Sequence, residues 1–314
     1  MPELSLKTVT RTQGNNKALK DGIVRPKGFT LDFEEVPVLI DAFRRMVRGM
    51  EFDVCEMAIT TYICARDNGK KFTALPIFLV RQFHHGAILV NTKAGIRTPK
   101  DLEGKRVGVN RGYTVTTGVW ARGILASEYG VDLSKITWVL SGDEHVQEYR
   151  APSNVVPIEP GKNMADMLAS GELVAAIGVE AKHPDVQPLI PNALDAGLAA
   201  LRSRGHYPIN HLVVVKDELL AANPGLAASV FDAFAESKNL YVQKLKAGQI
   251  EKPDAVDEMH RRVMEIIPDP LPYGIEPNRK VLEELIGHAV SQKIIATPVS
   301  VDDLFATGVQ AVVA

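Results

Sequence analysis

The chain has 314 residues, 46% of them hydrophobic and 24% charged, with 36 Lys+Arg set against 38 Asp+Glu for a formal charge of -2. That balance supplies no one-signed field to attract polyanions or an anionic bilayer, so neither nucleic acid nor a membrane is expected as a partner. The length suffices for two domains of ordinary size.

In chain order, the opening stretch MPELSLKTVTRTQGNNKALKDG contains no apolar core of the kind a secretory signal needs. No later run reaches the ~20 apolar residues that span a bilayer, and a cytoplasmic protein is expected. Thr30–Glu34 is predicted as a short strand. It leads to a helix over Leu39–Met50, where Leu39, Phe43, Met46, Val47 and Met50 recur at helical spacing and arginines take the other face. FDVCEMAIT reads as a strand turning into a helix through Thr60, Thr61 and Tyr62, and LPIFLV and GAILVN as buried strands. Cys55 and Cys64 fall in this stretch, and two buried thiols are the expectation in a reducing compartment.

From about Thr92 the texture changes. A short helix near Thr98–Pro99, the strand Arg106–Val109, a helix through Trp120, Ile124 and Leu125, the strand KITWVL, the helix MADMLASGE and the strand LVAAIG form an α/β block of their own. Then come the strand HLVVVK, a long helix from Asn223 to about Ala247 with Pro224 in its first turn, a helix over Glu258–Ile266, and a last helix introduced by Pro277 and Asn278. Alternating strands and helices predict a mostly parallel, helix-flanked sheet. The expected organisation is a discontinuous outer lobe (1–91 plus 204–314) carrying an inserted lobe (92–203). Crossover strands are expected near Ala87–Asn91 and His211–Val215, with a ligand cleft between the lobes.

The strings FDVCEMAITTYICAR, PIFLVRQFHHGAILVN, TVTTGVWARGIL, YPINHLVVVKD and YGIEPNR, together with DLEGKRVGV, resemble the 4,5-dihydroxyphthalate decarboxylase family, within the type II periplasmic-binding-protein-like, thiamine-precursor-binding-like superfamily. They follow the family's order from about Asp21 to Phe305. The resemblance implies a two-lobed α/β fold, a hydroxylated aromatic carboxylate as ligand, and a decarboxylase that uses no cofactor; a homo-oligomer is a separate expectation. The chain departs from the family at Phe83-His84-His85-Gly86, where a Phe-Arg-His-Ser string is expected, and it lacks a Gly-Asp-Tyr-like run after the first strand. The exact substrate is therefore open.

Removing CO2 from such an acid requires that the carboxylate be held, that a ring hydroxyl push electrons into the ring, and that a proton reach the carbon losing CO2. His85 is the first candidate acid, since imidazole exchanges protons near neutrality. Arg81, at the end of LPIFLV, is the first candidate clamp because guanidinium grips carboxylate with two prongs; His84 lies beside them. Backbone-satisfying imidazoles at a strand end are the structural alternative. Tyr113, Thr114, Thr116 and Thr117, with Asn110 and Arg111 on the same loop, precede a helix and could hold a carboxylate with hydroxyls and free amides; simple capping is the alternative. Glu56 is a candidate base for the phenolic proton or a partner that orients a histidine, with an ion pair to Arg81 as the alternative. Thr60 and Thr61 could contact ligand. His211 resembles the family's histidine at that place. Glu56, His84, His85 and His211 are suitable metal ligands, but adjacent histidines on an extended chain point apart, and no metal is expected. Trp120 reads as core, and Tyr273, Glu276 and Arg279 as a helix entrance with local pairing. The competing class is a solute-binding protein for a small organic anion, feeding a transporter without catalysis.

Overall fold

The computed structural model describes residues 4–314; Met1–Glu3, the start of the expected outer lobe, lie outside the described residues. From the N-terminus come β1 (Leu4–Val9), α1 (Gly14–Lys20), β2 (Phe29–Phe33), α2 (Leu39–Gly49), β3 (Val54–Ala58), α3 (Ile59–Asp67) and β4 (Phe72–Arg81). There follow β5 (Ile88–Asn91), β6 (Arg106–Val109), α4 (Thr116–Tyr129), β7 (Thr137–Leu140), β8 (Val155–Pro157), α5 (Met164–Ser170), β9 (Ala175–Ile177), β10 (Val186–Pro188) and α6 (Ala193–Arg204). The chain closes with β11 (Ile209–Lys216), α7 (Asp217–Ala222), α8 (Leu226–Lys246), α9 (Ala255–Met264) and α10 (Arg279–Ser291).

Two compact units result. The first comprises the chain up to Arg81, Ile209–Glu283 and Val299–Ala314; the second comprises Gln82–Pro208 and Glu284–Pro298. The sequence placed these passages at 91/92 and 203/204 and did not assign 284–298 to the inserted body.

The first unit is built on a sheet of order β2-β1-β3-β11-β4, the second on a sheet of order β10-β5-β9-β6-β7-β8. β1 runs parallel to β2 and β3, whereas β11 runs antiparallel to both β3 and β4. In the second sheet β6, β7, β8 and β9 are parallel, and β5 is antiparallel to β9 and β10. Each sheet is therefore mixed, and the antiparallel member is in each case the first strand after a passage of the chain. Apolar runs explain why these strands sit inside: Val213, Val214 and Val215 are wholly buried, as are Val54, Cys55 and Met57. Burial on both faces is worth about 1.5–3 kcal/mol for each large aliphatic side chain. Both cysteines are buried thiols.

Helix starts and stops follow local chemistry. α2 buries Leu39, Ala42, Phe43, Met46 and Val47, and ends where Met50 turns left-handed at φ 52. α5 is opened by Asn163, whose side chain accepts from Ala165 N and Asp166 N, and is closed by left-handed Gly171. The long helix expected from Asn223 to about Ala247 is α8, which starts three residues later, and the short α7 before it was not foreseen; Gly225 at φ 91 separates the two. A left-handed residue cannot continue a right-handed helix.

Candidate active site

In the first unit β3 and β4 both run antiparallel to β11 and so share a direction, which brings their carboxyl ends to one edge of the sheet with the start of β11. β1 ends at the same edge, parallel to β3. Open α/β sheets hold ligands off that edge. His211 is paired across the sheet with Ala58, and Val213 with Glu56. With side chains alternating along a strand, this diagonal sets His211 and Glu56 on one face. Their side chains meet: His211 Nδ1 lies 2.7 Å from Glu56 Oε1.

Glu56 is wholly buried, and His211 keeps 17% of its side chain exposed. The amide of Arg11 donates to Glu56 Oε2 at 2.9 Å, and Gln13 Nε2 donates to both carboxylate oxygens at 3.4 Å. The edge of Phe43 abuts the His211 ring at a centroid distance of 5.2 Å. Carboxylate and ring are thus fixed by their neighbours within the first unit, and Nε2 is the His211 nitrogen turned away from Glu56. Arg81 lies opposite Ile209 in the same sheet, one residue beyond the pairing of His211 with Val80. Its Nη2 donates to Asn278 Oδ1 and, at 3.3 Å, to Pro272 O. Thr60 and Thr61 occupy the first turn of α3 and are wholly buried.

The second unit gathers the other candidates. Asn110 follows β6 and ties three strand ends together: its Nδ2 donates to Gly178 O at 2.8 Å, and Ser141 Oγ donates to its Oδ1 at 3.0 Å. Arg111 is left-handed at φ 70, a conformation uncommon outside glycine. The amides of Tyr113 and Thr114 donate to the carboxylate of Glu144, and Thr114 Oγ1 adds a bond of 2.7 Å. This loop therefore holds an anion, and that anion is the chain's own Glu144. Gly112 makes room for it, since a Cβ there would lie 2.6 Å from Glu144 Oε2. α4 starts at Thr116, with Thr117 next and no side-chain cap from Val115.

His84 and His85 are both wholly buried. His85 Nε2 lies 3.0 Å from Glu128 Oε2, and Arg204 binds the same carboxylate. Burial pushes Glu128 up, but its bonds to His85 and Arg204 outweigh that and hold it below the ordinary carboxylate range. A second pair sits nearby, with His206 Nδ1 2.9 Å from Glu284 Oε2. Trp120 is core, packed edge-on against His206 and His288. The four suggested metal ligands are divided between the units. Among the described residues no group of three or more His, Cys, Asp or Glu is arranged to hold a metal ion.

The sequence reading missed Arg11, Gln13, Glu128, Glu144 and Asn278. Only Asn278 stood in a string singled out on its own account; the others act through contacts distant along the chain.

No family model matches the chain. It is 32% identical over 209 residues to the 4,5-dihydroxyphthalate decarboxylase of Pseudomonas putida, covering 60% of this chain and 78% of that protein. The chain belongs to the 4,5-dihydroxyphthalate decarboxylase family. A second member, from Comamonas testosteroni, is 28% identical over 327 aligned positions that cover 97% of each chain. The fold of this decarboxylase-family chain is the two-lobed periplasmic-binding-protein fold. Its likeness to the alkanesulfonate-binding protein SsuA of Xanthomonas axonopodis pv. citri has a TM-score of 0.52 at 15% identity, covering 96% of this chain and 97% of that one. No helix among the described residues is long and apolar enough to cross a membrane.

Proposed function

We propose that this chain is a decarboxylase of a hydroxylated phthalate-type acid, with 4,5-dihydroxyphthalate as the first substrate to test, and that Glu56 and His211 deliver the proton. The observation that carries the proposal is the 2.7 Å contact between a wholly buried carboxylate and a partly exposed imidazole, at the kind of sheet edge where open α/β folds hold ligands. Such a pair fixes the ring's orientation, while the opposite nitrogen faces the reacting atom.

In this reading Arg81 holds a carboxylate. A ring hydroxyl pushes an electron pair toward the carbon that bears the departing carboxylate. His211 Nε2 gives its proton to that carbon, and Glu56 holds the ring in place through Nδ1. The bond to the carboxylate then breaks, CO2 leaves, and its electron pair restores the aromatic ring as 3,4-dihydroxybenzoate. Solvent returns the proton to His211, so one proton is consumed for each CO2 released. His85, wholly buried with Nε2 on Glu128, is less well placed to reach a substrate. Thr116 and Thr117, at the start of α4, are the second unit's candidates for an anionic group, since the positive end of the helix dipole lies there.

The test is to incubate purified protein with 4,5-dihydroxyphthalate and to follow CO2 and 3,4-dihydroxybenzoate. His211→Asn is expected to lower kcat by about 10²–10⁴ while leaving binding intact, the usual contribution of a general acid. Turnover that survives His211→Asn but not His85→Ala would transfer the acid role to His85. Tight binding with no turnover, across a panel of hydroxylated aromatic diacids, would make the protein a receptor for a small organic anion instead. A cytoplasmic location and a homo-oligomeric state complete the proposal, checked by cell fractionation and by light scattering on a sizing column.

A further inference from the structure

The string Tyr273-Gly-Ile-Glu-Pro-Asn278 has no part in the chemistry above. Its expected role as a helix entrance is met by Arg279, which pairs with Glu276 at 2.5 Å and with Asp302 at 3.0 Å. Asn278 does something else. It is 2% exposed and uses its whole amide: Nδ2 donates to Pro272 O at 2.9 Å and to Gly274 O at 2.7 Å. Both donors are thereby committed to carbonyls, so Oδ1 is the atom that must face Arg81, and it accepts from Arg81 Nη2. The same guanidinium lies 5.5 Å from the centroid of the Phe78 ring, which limits its swing on another side.

The turn that carries Asn278 is itself fastened. Gly274 N donates to Pro76 O, and Tyr273 N to Ala314 O, each at 2.8 Å. Gly274 has φ +100, and a Cβ there would come within 2.4 Å of Val312 O, so only glycine fits. A long arginine side chain carries much rotamer entropy, and a fixed acceptor on its Nη2 removes that cost before a ligand binds.

We propose that Asn278 is a positioning residue for the carboxylate clamp, setting the plane and reach of the Arg81 guanidinium through a turn whose backbone cannot shift. The inference rests on Arg81 being the clamp.

The experiment is a double-substitution cycle on the full-length protein, with KM and kcat measured for 4,5-dihydroxyphthalate and Kd measured by calorimetry for the same acid and for phthalate. Asn278→Ala is expected to raise KM and Kd about tenfold to a hundredfold, the scale of a hydrogen bond to a charged group, with kcat changed less than about threefold. Arg81→Ala should raise them at least as far. In the Arg81→Ala background, adding Asn278→Ala should change Kd less than about twofold, because the residue has nothing left to position. Asn278→Asp has the same shape, but it would turn an oxygen toward two carbonyls and set a charge on the guanidinium. It should weaken binding as well, and it serves where the alanine variant folds poorly. Independent effects in the cycle, or an unchanged Kd in Asn278→Asp, would overturn the proposal. A normal Kd in Arg81→Ala would remove the clamp and this inference with it, while turnover dependent on His211 would still support the decarboxylase.

Discussion

His260 lies 5% exposed in the first unit, its Nδ1 2.8 Å from the Tyr241 hydroxyl, which also donates to Asp257 Oδ1 at 2.6 Å. Burial pushes its imidazole down to about 4, against the opposing pull of Asp257. Above pH 6.5 the ring is neutral in folded and unfolded chain alike, and its share of stability is intact. As pH falls from 6.5 toward 4 the unfolded chain takes up a proton that the folded one refuses, so stability drops, by roughly 3 kcal/mol in total. Below about 4 this group costs nothing further. Urea unfolding midpoints across that range should fall more steeply for the native protein than for His260→Gln, and parallel curves would show that another group dominates. Glu56 and His211, which meet at 2.7 Å, stood out in the sequence because a carboxylate ending a strand and a histidine opening one are conspicuous. His260 was not, since a histidine on an amphipathic helix looks the same in sequence whether it is solvated or sealed. Nor could the sequence show that Glu144 would fill the seat proposed for a substrate carboxylate, because the two loops lie about thirty residues apart and meet only through strand order.

At the scale of elements, α4 offers a test in which packing opposes propensity. Replacing glycine by alanine inside a helix ordinarily gains about 1 kcal/mol. In Gly123 the added Cβ would lie 2.5 Å from the His288 ring. Gly123→Ala is therefore expected to destabilise by about 1–3 kcal/mol, as overpacking does, measurable as a lowered denaturant midpoint; a rise would mean that α10 gives way easily. The same contest explains which elements were readable. Strands with unbroken apolar runs and helices with a clear stripe, such as α2, were found near their true limits. The long helix expected from Asn223 starts instead at Leu226, because Pro224 also suits a first turn and nothing before the structure reveals that Gly225 adopts φ 91. The antiparallel setting of β5 and β11 was equally hidden, since direction within a sheet depends on where the chain comes from and not on a strand's own residues.

For the whole molecule, the sequence reads as a body over 92–203 inserted into one over 1–91 plus 204–314, whereas the structure groups 284–298 with Gln82–Pro208. That segment supplies Gln292, which accepts from buried Arg122 Nε at 2.8 Å and donates to Val119 O at 2.9 Å, and Glu284, which binds His206. Burial pushes Glu284 up, yet its bonds to His206 and His288 prevail and keep it ionised well below the usual carboxylate range. A fragment limited to 82–208 would leave a buried guanidinium short of an acceptor, a cost of about 1–3 kcal/mol for that group alone. It is expected to show weak near-ultraviolet dichroism and no sharp melting transition. A version with 284–298 joined to it should recover both, and a well-folded short fragment would count against this dependence. The place of β11 in the interior of the first sheet, between β3 and β4, has a further consequence during translation. The strands of the first unit emerge from the ribosome and must wait, with a gap in their sheet, while more than a hundred codons of the other body are read. That other body waits in turn for residues 284–298. A nascent chain of this kind holds sticky strand edges open while residues 82–208 are made, and its yield in the cell should depend on the chaperones that shield them.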